Sequence, residues 1–203
     1  MNEKTKYYYN DLPEGYKKDY VIDSKDSKFT IIFATIINLV LLASTVAICL
    51  AFKGFKIELK ENRSYVLLCT AIFLFTMVIY MVLHELTHGL FYKIFTHEKL
   101  KFGMTLTVAY CGIPTIYTKK WPMVITTLAP FVVFTVVFSI PLIFITNTMV
   151  YLYASLMLGF HVGGCVGDLY GAIIAVFKYR GKKLLVNDTG PKQTFYIIKD
   201  DEE

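Results

Sequence analysis

The chain has 203 residues, of which 55% are hydrophobic and only 18% charged, and its formal net charge is +5. Soluble domains carry about 25% charged residues, so this composition favours a membrane protein. The basic residues flank apolar segments and form no patch interleaved with aromatic residues, which argues for a lipid bilayer and against nucleic acid as a partner. The four cysteines include no C-x-x-C pair, so neither a disulfide framework nor a zinc ribbon is predicted.

The chain begins with a polar segment, residues 1–29, that is too long and too acidic for the n-region of a signal peptide. We therefore predict no cleaved signal. Residues 31–52 form the first predicted membrane span, since about twenty apolar residues suffice to cross a bilayer. The only strongly polar side chain in this span is Asn38, which we interpret as a helix–helix contact.

The second predicted span, residues 65–91, carries the pattern H-E-x-x-H at His84, Glu85 and His88. An ionisable side chain inside such a helix costs about 2.5–3.5 kcal/mol on insertion scales, so it is expected to be functional. Residues four apart lie on one helix face, where two imidazoles can hold one zinc ion with the glutamate as general base. The alternative, a helix end with solvated histidines, is disfavoured because apolar residues interleave with the motif and continue beyond it.

A short β-hairpin is predicted directly after the motif helix. Residues 104–110 are rich in β-branched and aromatic side chains, 111–114 resemble a turn, and 115–118 are suited to a return strand. Because exposed sheet edges do not occur in lipid, the hairpin is expected to lie against protein or at the membrane interface.

The second half of the chain predicts two more spans, at 123–146 and 149–177, the first of them kinked or interrupted at Pro130 and Pro141. A polar tail, 178–203, follows, with a strand predicted at 194–198. The predicted fold class is thus an all-α polytopic membrane protein of about four spanning helices with one short β-hairpin. Its predicted parts are an N-terminal segment (1–29), a membrane domain (30–177) and the tail.

The distribution of lysine and arginine predicts the orientation of the chain. With both termini in the cytoplasm, seventeen of these residues lie on the cytoplasmic side and four lie outside, in the loop 53–64. Cytoplasmic loops carry the excess of lysine and arginine. The sequence therefore predicts a multi-pass protein of the cell membrane with both termini cytoplasmic.

A third metal ligand is needed, since catalytic zinc usually has three protein ligands and one open position. Asp168 is the only acidic residue besides Glu85 in any predicted span. His84 and Asp168 each lie nineteen residues from the outer ends of their spans. That is about 28 Å at 1.5 Å per residue, so the two side chains are expected at one depth.

The surroundings of Asp168 leave other roles open. Glycines recur every four residues from 159 to 171, which forms a stripe on which another helix can approach closely. The stripe could serve helix packing alone, with Asp168 paired to a lysine. His161 could be an alternative ligand, a hydrogen-bond donor behind a ligand, or a helix contact, and Cys165 a ligand or a small packing residue.

Together these features resemble the site-2 protease type of intramembrane zinc metalloprotease. They are more similar to small bacterial membrane proteins of the zincin-peptidase kind, in which segments like 12–16 (Leu-Pro-Glu-Gly-Tyr), 128–130 (Leu-Ala-Pro) and Gly167-Asp168 recur. The resemblance implies a bacterial membrane hydrolase with a zinc cofactor. The Asn-Pro and Leu-Asp-Gly signatures of site-2 proteases are missing, and Gly167-Asp168 stands where Asp-Gly would be.

We interpret the chain as an integral membrane zinc metalloendopeptidase that hydrolyses peptide bonds by zinc-activated water. His84, His88 and Asp168 would hold zinc, and Glu85 would be the catalytic base. The expected substrate is a membrane protein or peptide, and a homo-oligomer stays open. The alternatives are a non-catalytic metal-binding protein or ion carrier, and a relative that only binds another membrane protein. The clustering of polar groups at one depth disfavours a carrier, and the intact Glu85 disfavours a pure binder.

Overall fold

A computed structural model of the chain describes residues 7–23, 28–54, 62–104 and 109–198. The described residues are mostly helical and include a small antiparallel sheet. Four helical stretches in this part of the chain are long and apolar enough to cross a membrane, which confirms the four long apolar helices that the sequence predicts. They comprise α1 (Lys28–Lys53), α2 (Arg63–Thr96), α3 (Lys120–Phe144) and the stretch that begins with α4 (Thr148–Gly164).

The fourth apolar stretch is not one regular helix. It starts where the side chain of Asn147 accepts a hydrogen bond from the Val150 N–H at 3.0 Å, and α4 ends at Gly164. A second helix, α5 (Val166–Ile173), and a π-helical turn (Ile174–Lys178) follow. The break at Cys165 falls among three glycines, which are poor helix formers, and it puts Asp168 in the first turn of α5.

The sheet is larger than the single hairpin that the sequence predicts. The all-α fold class is therefore corrected to a mostly helical protein whose described residues include a six-stranded antiparallel sheet. Five strands follow the order β1-β4-β5-β6-β2, and β3 also pairs with β4. The strands are β1 (Tyr8–Tyr9), β2 (Tyr16–Asp23), β3 (Lys101–Met104), β4 (Ala109–Lys119), β5 (Leu184–Asp188) and β6 (Lys192–Ile198). The strand predicted at 194–198 is confirmed as part of β6.

The hairpin after the motif helix is present, but its predicted turn is wrong. Strands β3 and β4 pair with Lys101 opposite Gly112 and Met104 opposite Ala109, so residues 111–114 lie inside β4. The first predicted strand, 104–110, divides between Met104 in β3, residues 109–110 in β4, and residues 105–108, which lie outside the described residues. Pro114 is tolerated in β4 because the register with β5 is irregular between Ile113 and Thr118, where the missing N–H removes no regular ladder bond.

The chain forms two compact units. The first comprises the described parts of 1–31, 85–130 and 167–203, and includes the whole sheet. Its core contains the largely buried side chains of Met123, Tyr179, Val186 and Phe195. The second comprises the described parts of 32–84 and 131–166, and its core clusters are formed by helical side chains such as Tyr80, Phe134 and Tyr151.

Within the second unit, α4 packs closely on α1 at two glycines. A Cβ atom on Gly159 would lie 3.1 Å from the Leu42 carbonyl oxygen, and one on Gly163 would lie 2.7 Å from that of Asn38. The glycine stripe therefore serves close helix packing here, and Asn38 is a helix–helix contact as predicted. The four cysteines, Cys49, Cys69, Cys111 and Cys165, are free thiols.

Candidate metal centre

The H-E-x-x-H motif lies inside a helix, since α2 continues for two turns beyond it to Thr96. One ligand atom from each of His84, Glu85 and His88 lies within 4.8 Å of the others. His88 is only 7% exposed. The motif is therefore not a frayed helix end with solvated histidines, and its side chains have the proximity that a shared metal ion requires.

The ring of His88 is oriented by a backbone carbonyl of α3. Its Nδ1 lies 2.9 Å from the carbonyl oxygen of Thr126. A carbonyl can only accept, so Nδ1 carries the hydrogen, and the neutral ring keeps its lone pair on Nε2, where a metal would bind. The residue four positions after Thr126 is Pro130, which has no N–H to donate to this carbonyl. Pro130 therefore leaves the Thr126 carbonyl to the imidazole.

Asp168 lies beside the other nitrogen of the same ring. Its Oδ2 atom is 3.4 Å from Nε2 of His88, and its side chain is 22% exposed. Two ligands about 2.0–2.1 Å from one zinc ion at the tetrahedral angle are about 3.4 Å apart. The separation and the donor set, an imidazole nitrogen with a carboxylate oxygen, both suit zinc. The structure thus brings His88 and Asp168 together, and His84 lies one turn before His88 in α2.

A buried carboxylate on the sheet lies near this pair, and sequence reasoning missed it. Asp188, at the end of β5, accepts a hydrogen bond from the Tyr92 hydroxyl at 2.6 Å and from the Gly190 N–H at 2.8 Å. Burial raises the pKa of Asp188 above its ordinary value. The available signal was the sequence Asp188-Thr189-Gly190, which is typical of a tight turn at a strand end.

The pKa of Cys111, on β4, is shifted by burial and by the negative charges near it in this unit. Burial, with the negative charges of Glu85 and Asp188 as further causes, raises the pKa of Cys111 to about 12. The thiol therefore stays protonated at neutral pH, whereas a metal ligand would be a thiolate.

In the second unit, His84 belongs to a different hydrogen-bonded group. The Tyr80 hydroxyl lies 3.1 Å from Nδ1 of His84 and 2.7 Å from Nδ1 of His161. Nε2 of His161 lies 3.0 Å from the Thr135 hydroxyl and 3.2 Å from the Phe131 carbonyl oxygen. Both ring nitrogens of the fully buried His161 therefore have hydrogen-bond partners.

The alternative ligands, His161 and Cys165, lie close to His84. Ligand atoms of His84, His161 and Cys165 lie within 4.8 Å of one another, so the three could in principle hold a metal. However, the Tyr80 hydroxyl already bridges the Nδ1 atoms of the two histidines. The arrangement suits His161 as a partner behind His84 better than as a ligand.

A helix that carries H-E-x-x-H, with a carboxylate at ligand distance from one of its histidines, is the kind of centre found in zinc metallopeptidases. The sequence profile of a family described as "Putative zincin peptidase" matches residues 77–181, just over half of the chain. The matched segment includes His84, Glu85, His88 and Asp168. The chain belongs to this family, whose description implies a zinc metallopeptidase. Comparisons with curated proteins and with solved structures found no match.

Proposed function

We propose that this protein is an integral membrane zinc metalloendopeptidase of the site-2 protease kind, with zinc held by His84, His88 and Asp168. The observation that carries the proposal is the 3.4 Å separation between Nε2 of His88 and Oδ2 of Asp168. At this distance the His88 ring, which is already oriented through its Nδ1, lies beside a carboxylate from a different helix. Family membership adds independent support for the metal and the reaction class.

The zinc ion, when bound, would polarise the scissile carbonyl and make a water molecule acidic enough to react near neutral pH. Glu85 follows His84 directly and projects about 100° further around the helix, beside the site. Its carboxylate takes the proton of the attacking water and then delivers it to the nitrogen of the leaving amine as the C–N bond breaks. The carbonyl of Thr126 holds the His88 ring in place throughout.

The membrane part of the proposal rests on the four long apolar helices. Their exposed faces carry many large apolar side chains, such as Leu67, Phe75 and Val136, which suit contact with lipid. We therefore propose a membrane-protein or peptide substrate that is cut in or near the bilayer of a bacterial cell membrane.

The test is Glu85→Gln in the full chain. Glutamine keeps the shape and the hydrogen-bonding capacity of glutamate but does not accept the proton of water at neutral pH. Zinc content should stay the same, while cleavage of membrane-protein substrates should fall about 10²–10⁴-fold. Fragments are compared by mass spectrometry of membranes from cells that carry wild type or variant.

The matched control is Glu98→Gln, which makes the same change at a residue that accepts a hydrogen bond from Tyr8. It should leave the fragments unchanged. Identical fragments from wild type and Glu85→Gln would contradict the peptidase and favour a protein that only binds metal.

A further inference from the structure

We infer that Tyr80 is a positioning residue for the metal centre. Together with His161 it forms a hydrogen-bond relay that holds His84 in the tautomer that a metal ligand needs. The inference rests on the proposed function, since it assumes that Nε2 of His84 binds the metal. The role of Tyr80 is inferred from hydrogen-bond geometry alone.

The relay begins at the Phe131 carbonyl. This oxygen lies 3.2 Å from Nε2 of His161 and can only accept, so the hydrogen of the neutral ring is on Nε2. The Thr135 hydroxyl, 3.0 Å from the same nitrogen, can accept as well. Nδ1 of His161 is then an acceptor.

The direction of the next two hydrogen bonds follows. Nδ1 of His161 accepts and has two contacts, the Tyr80 hydroxyl at 2.7 Å and the Cys165 sulfur at 3.7 Å. Because a thiol is a weak donor and lies further away, the Tyr80 hydroxyl donates its only hydrogen to this nitrogen. The Tyr80 oxygen is then left to accept, and Nδ1 of His84, 3.1 Å away, must donate. His84 is thereby protonated on Nδ1 and keeps its lone pair on Nε2, as His88 does through the Thr126 carbonyl.

The rings of the relay are held by aromatic packing. Tyr80 makes edge contacts with Phe134 and Phe138 at centroid distances of 5.3 and 5.4 Å. His161 stacks on Phe131 at 5.9 Å with an interplanar angle of 24°. Tyr80 is 7% exposed and His161 is 0% exposed. Because the packing leaves few rotamers open to Tyr80 and His161, the hydrogen bond between them fixes a single orientation of the two rings.

The consequence is that both imidazoles of the motif present the same nitrogen. If His84 carried its hydrogen on Nε2, that nitrogen could not bind a metal until the hydrogen moved to Nδ1. The relay makes this proton shift unnecessary for His84, and the carbonyl of Thr126 makes it unnecessary for His88. Tyr80, His84 and His88 are spaced by four residues along α2, which places each pair on neighbouring turns.

The first experiment reads the tautomers directly, without metal and without activity. The full chain, labelled with ¹⁵N-histidine, is placed in lipid bilayers at pH 8 with zinc removed, and the imidazole nitrogen shifts are recorded. Replacement of single histidines by glutamine assigns the four rings. We expect His84 to be protonated on Nδ1 and His161 on Nε2. A wild-type His84 protonated on Nε2 would overturn the inference.

The second experiment compares Tyr80→Phe with Tyr151→Phe. Tyr151 is also buried and donates its hydroxyl to a backbone carbonyl, that of Cys49, at 2.7 Å, so its variant controls for the loss of a buried hydrogen bond. In Tyr80→Phe, His84 should become a mixture of tautomers, and zinc affinity, measured by chelator competition, should fall about 10–100-fold at unchanged stoichiometry. Tyr151→Phe should change neither.

His161→Phe removes the other half of the relay. It should weaken zinc binding about as much as Tyr80→Phe, and the double variant should be no weaker than either, because the two residues act in series. Complete loss of stoichiometric zinc in His161→Phe would make His161 a ligand and overturn the relay. Equal zinc affinity in wild type and Tyr80→Phe would also overturn it, while leaving the proposed function intact. A wild type that binds no zinc would instead contradict the proposed function.

Discussion

At the scale of single residues, the proposed metal centre depends on groups outside its candidate ligands. His88 is oriented by the Thr126 carbonyl, which is open to it because Pro130 lacks an N–H. The sequence predicts a kink or an interruption at Pro130. The helix is not interrupted there, since α3 runs continuously from Lys120 to Phe144. The more specific effect of this proline is to leave an acceptor for a histidine of another helix.

Pro130→Ala tests this role. The alanine N–H would donate to the Thr126 carbonyl and compete with Nδ1 of His88 for it. Zinc affinity should fall by roughly tenfold, near the low end of the effect of removing a hydrogen-bond partner of a metal ligand. The loss should be this small because a carbonyl oxygen can accept two hydrogen bonds and so can keep part of its bond to His88. Chelator competition on the purified protein measures the change.

Pro141→Ala is the matched control, since it makes the same substitution in α3 eleven residues further along the helix. It should leave zinc affinity unchanged. Equal affinities in wild type and both variants would show that Pro130 has no part in orienting His88.

The candidate ligands could be picked out from sequence, and the groups behind them could not. His84, Glu85 and His88 stand out because ionisable residues inside an apolar helix are rare. Asp168 stood out for the same reason, although its ligand role stays a prediction. Tyr80 and Thr126 carry no such signal, because a tyrosine or threonine in an apolar helix is ordinary and their partners, His161 and His88, lie on other helices.

At the scale of elements, β4 is the strand on which the sheet is built. It pairs with β1, β3 and β5, and it carries the buried Cys111. The turn after β5 approaches β4 closely at Gly112. A Cβ atom there would lie 2.8 Å from the carbonyl carbon of Thr189 and would also meet the Gly190 nitrogen. These neighbours are backbone atoms, so they have little room to move.

Gly112→Ala should therefore destabilise the protein by about 1–3 kcal/mol, the usual cost of inserting an atom into a well-packed site. Thermal unfolding in detergent measures the loss. Gly164→Ala is the control, because nothing lies within 4 Å of a Cβ atom at Gly164. Unfolding of Gly112→Ala at the wild-type temperature would show that the turn and β4 do not approach as closely as described.

Local signals found two parts of the sheet and missed the rest. Parts of β4 and β6 are visible as runs of β-branched and aromatic residues. Strands β1, β2 and β5 were missed because their partners are distant in sequence. Tyr8 pairs with Thr118, and Val21 pairs with Thr194. Such pairings depend on the tertiary fold, and a local pattern does not contain them.

At the scale of the whole molecule, the sheet constrains how the chain can cross a membrane. Its strands come from the N-terminal segment, from the segment after α2 and from the tail, with two apolar helices between each segment and the next. Segments that pair in one sheet lie on one side of a membrane. The sheet therefore supports, independently of the lysine and arginine count, the prediction that both ends of the chain face the same compartment.

Reporter fusions test this orientation. We expect cytoplasmic activity for fusions before Met1 and after Glu203, and external activity for a fusion at Asn147, the link between α3 and α4. A fusion within the loop 53–64 should also be external. Termini on opposite sides would contradict the proposed arrangement of four spans.

The central claim, that His88 and Asp168 share a zinc ion with His84, is tested most directly by metal analysis of the purified full chain. Wild type should hold about one zinc per chain, as expected for a site with three protein ligands. Asp168→Asn should lose it, because a neutral amide is a poor zinc ligand compared with a carboxylate. Asp188→Asn makes the same change at a buried aspartate bonded to Tyr92 and should keep its zinc. A wild type without zinc, or an Asp168→Asn variant with the full content, would contradict the account.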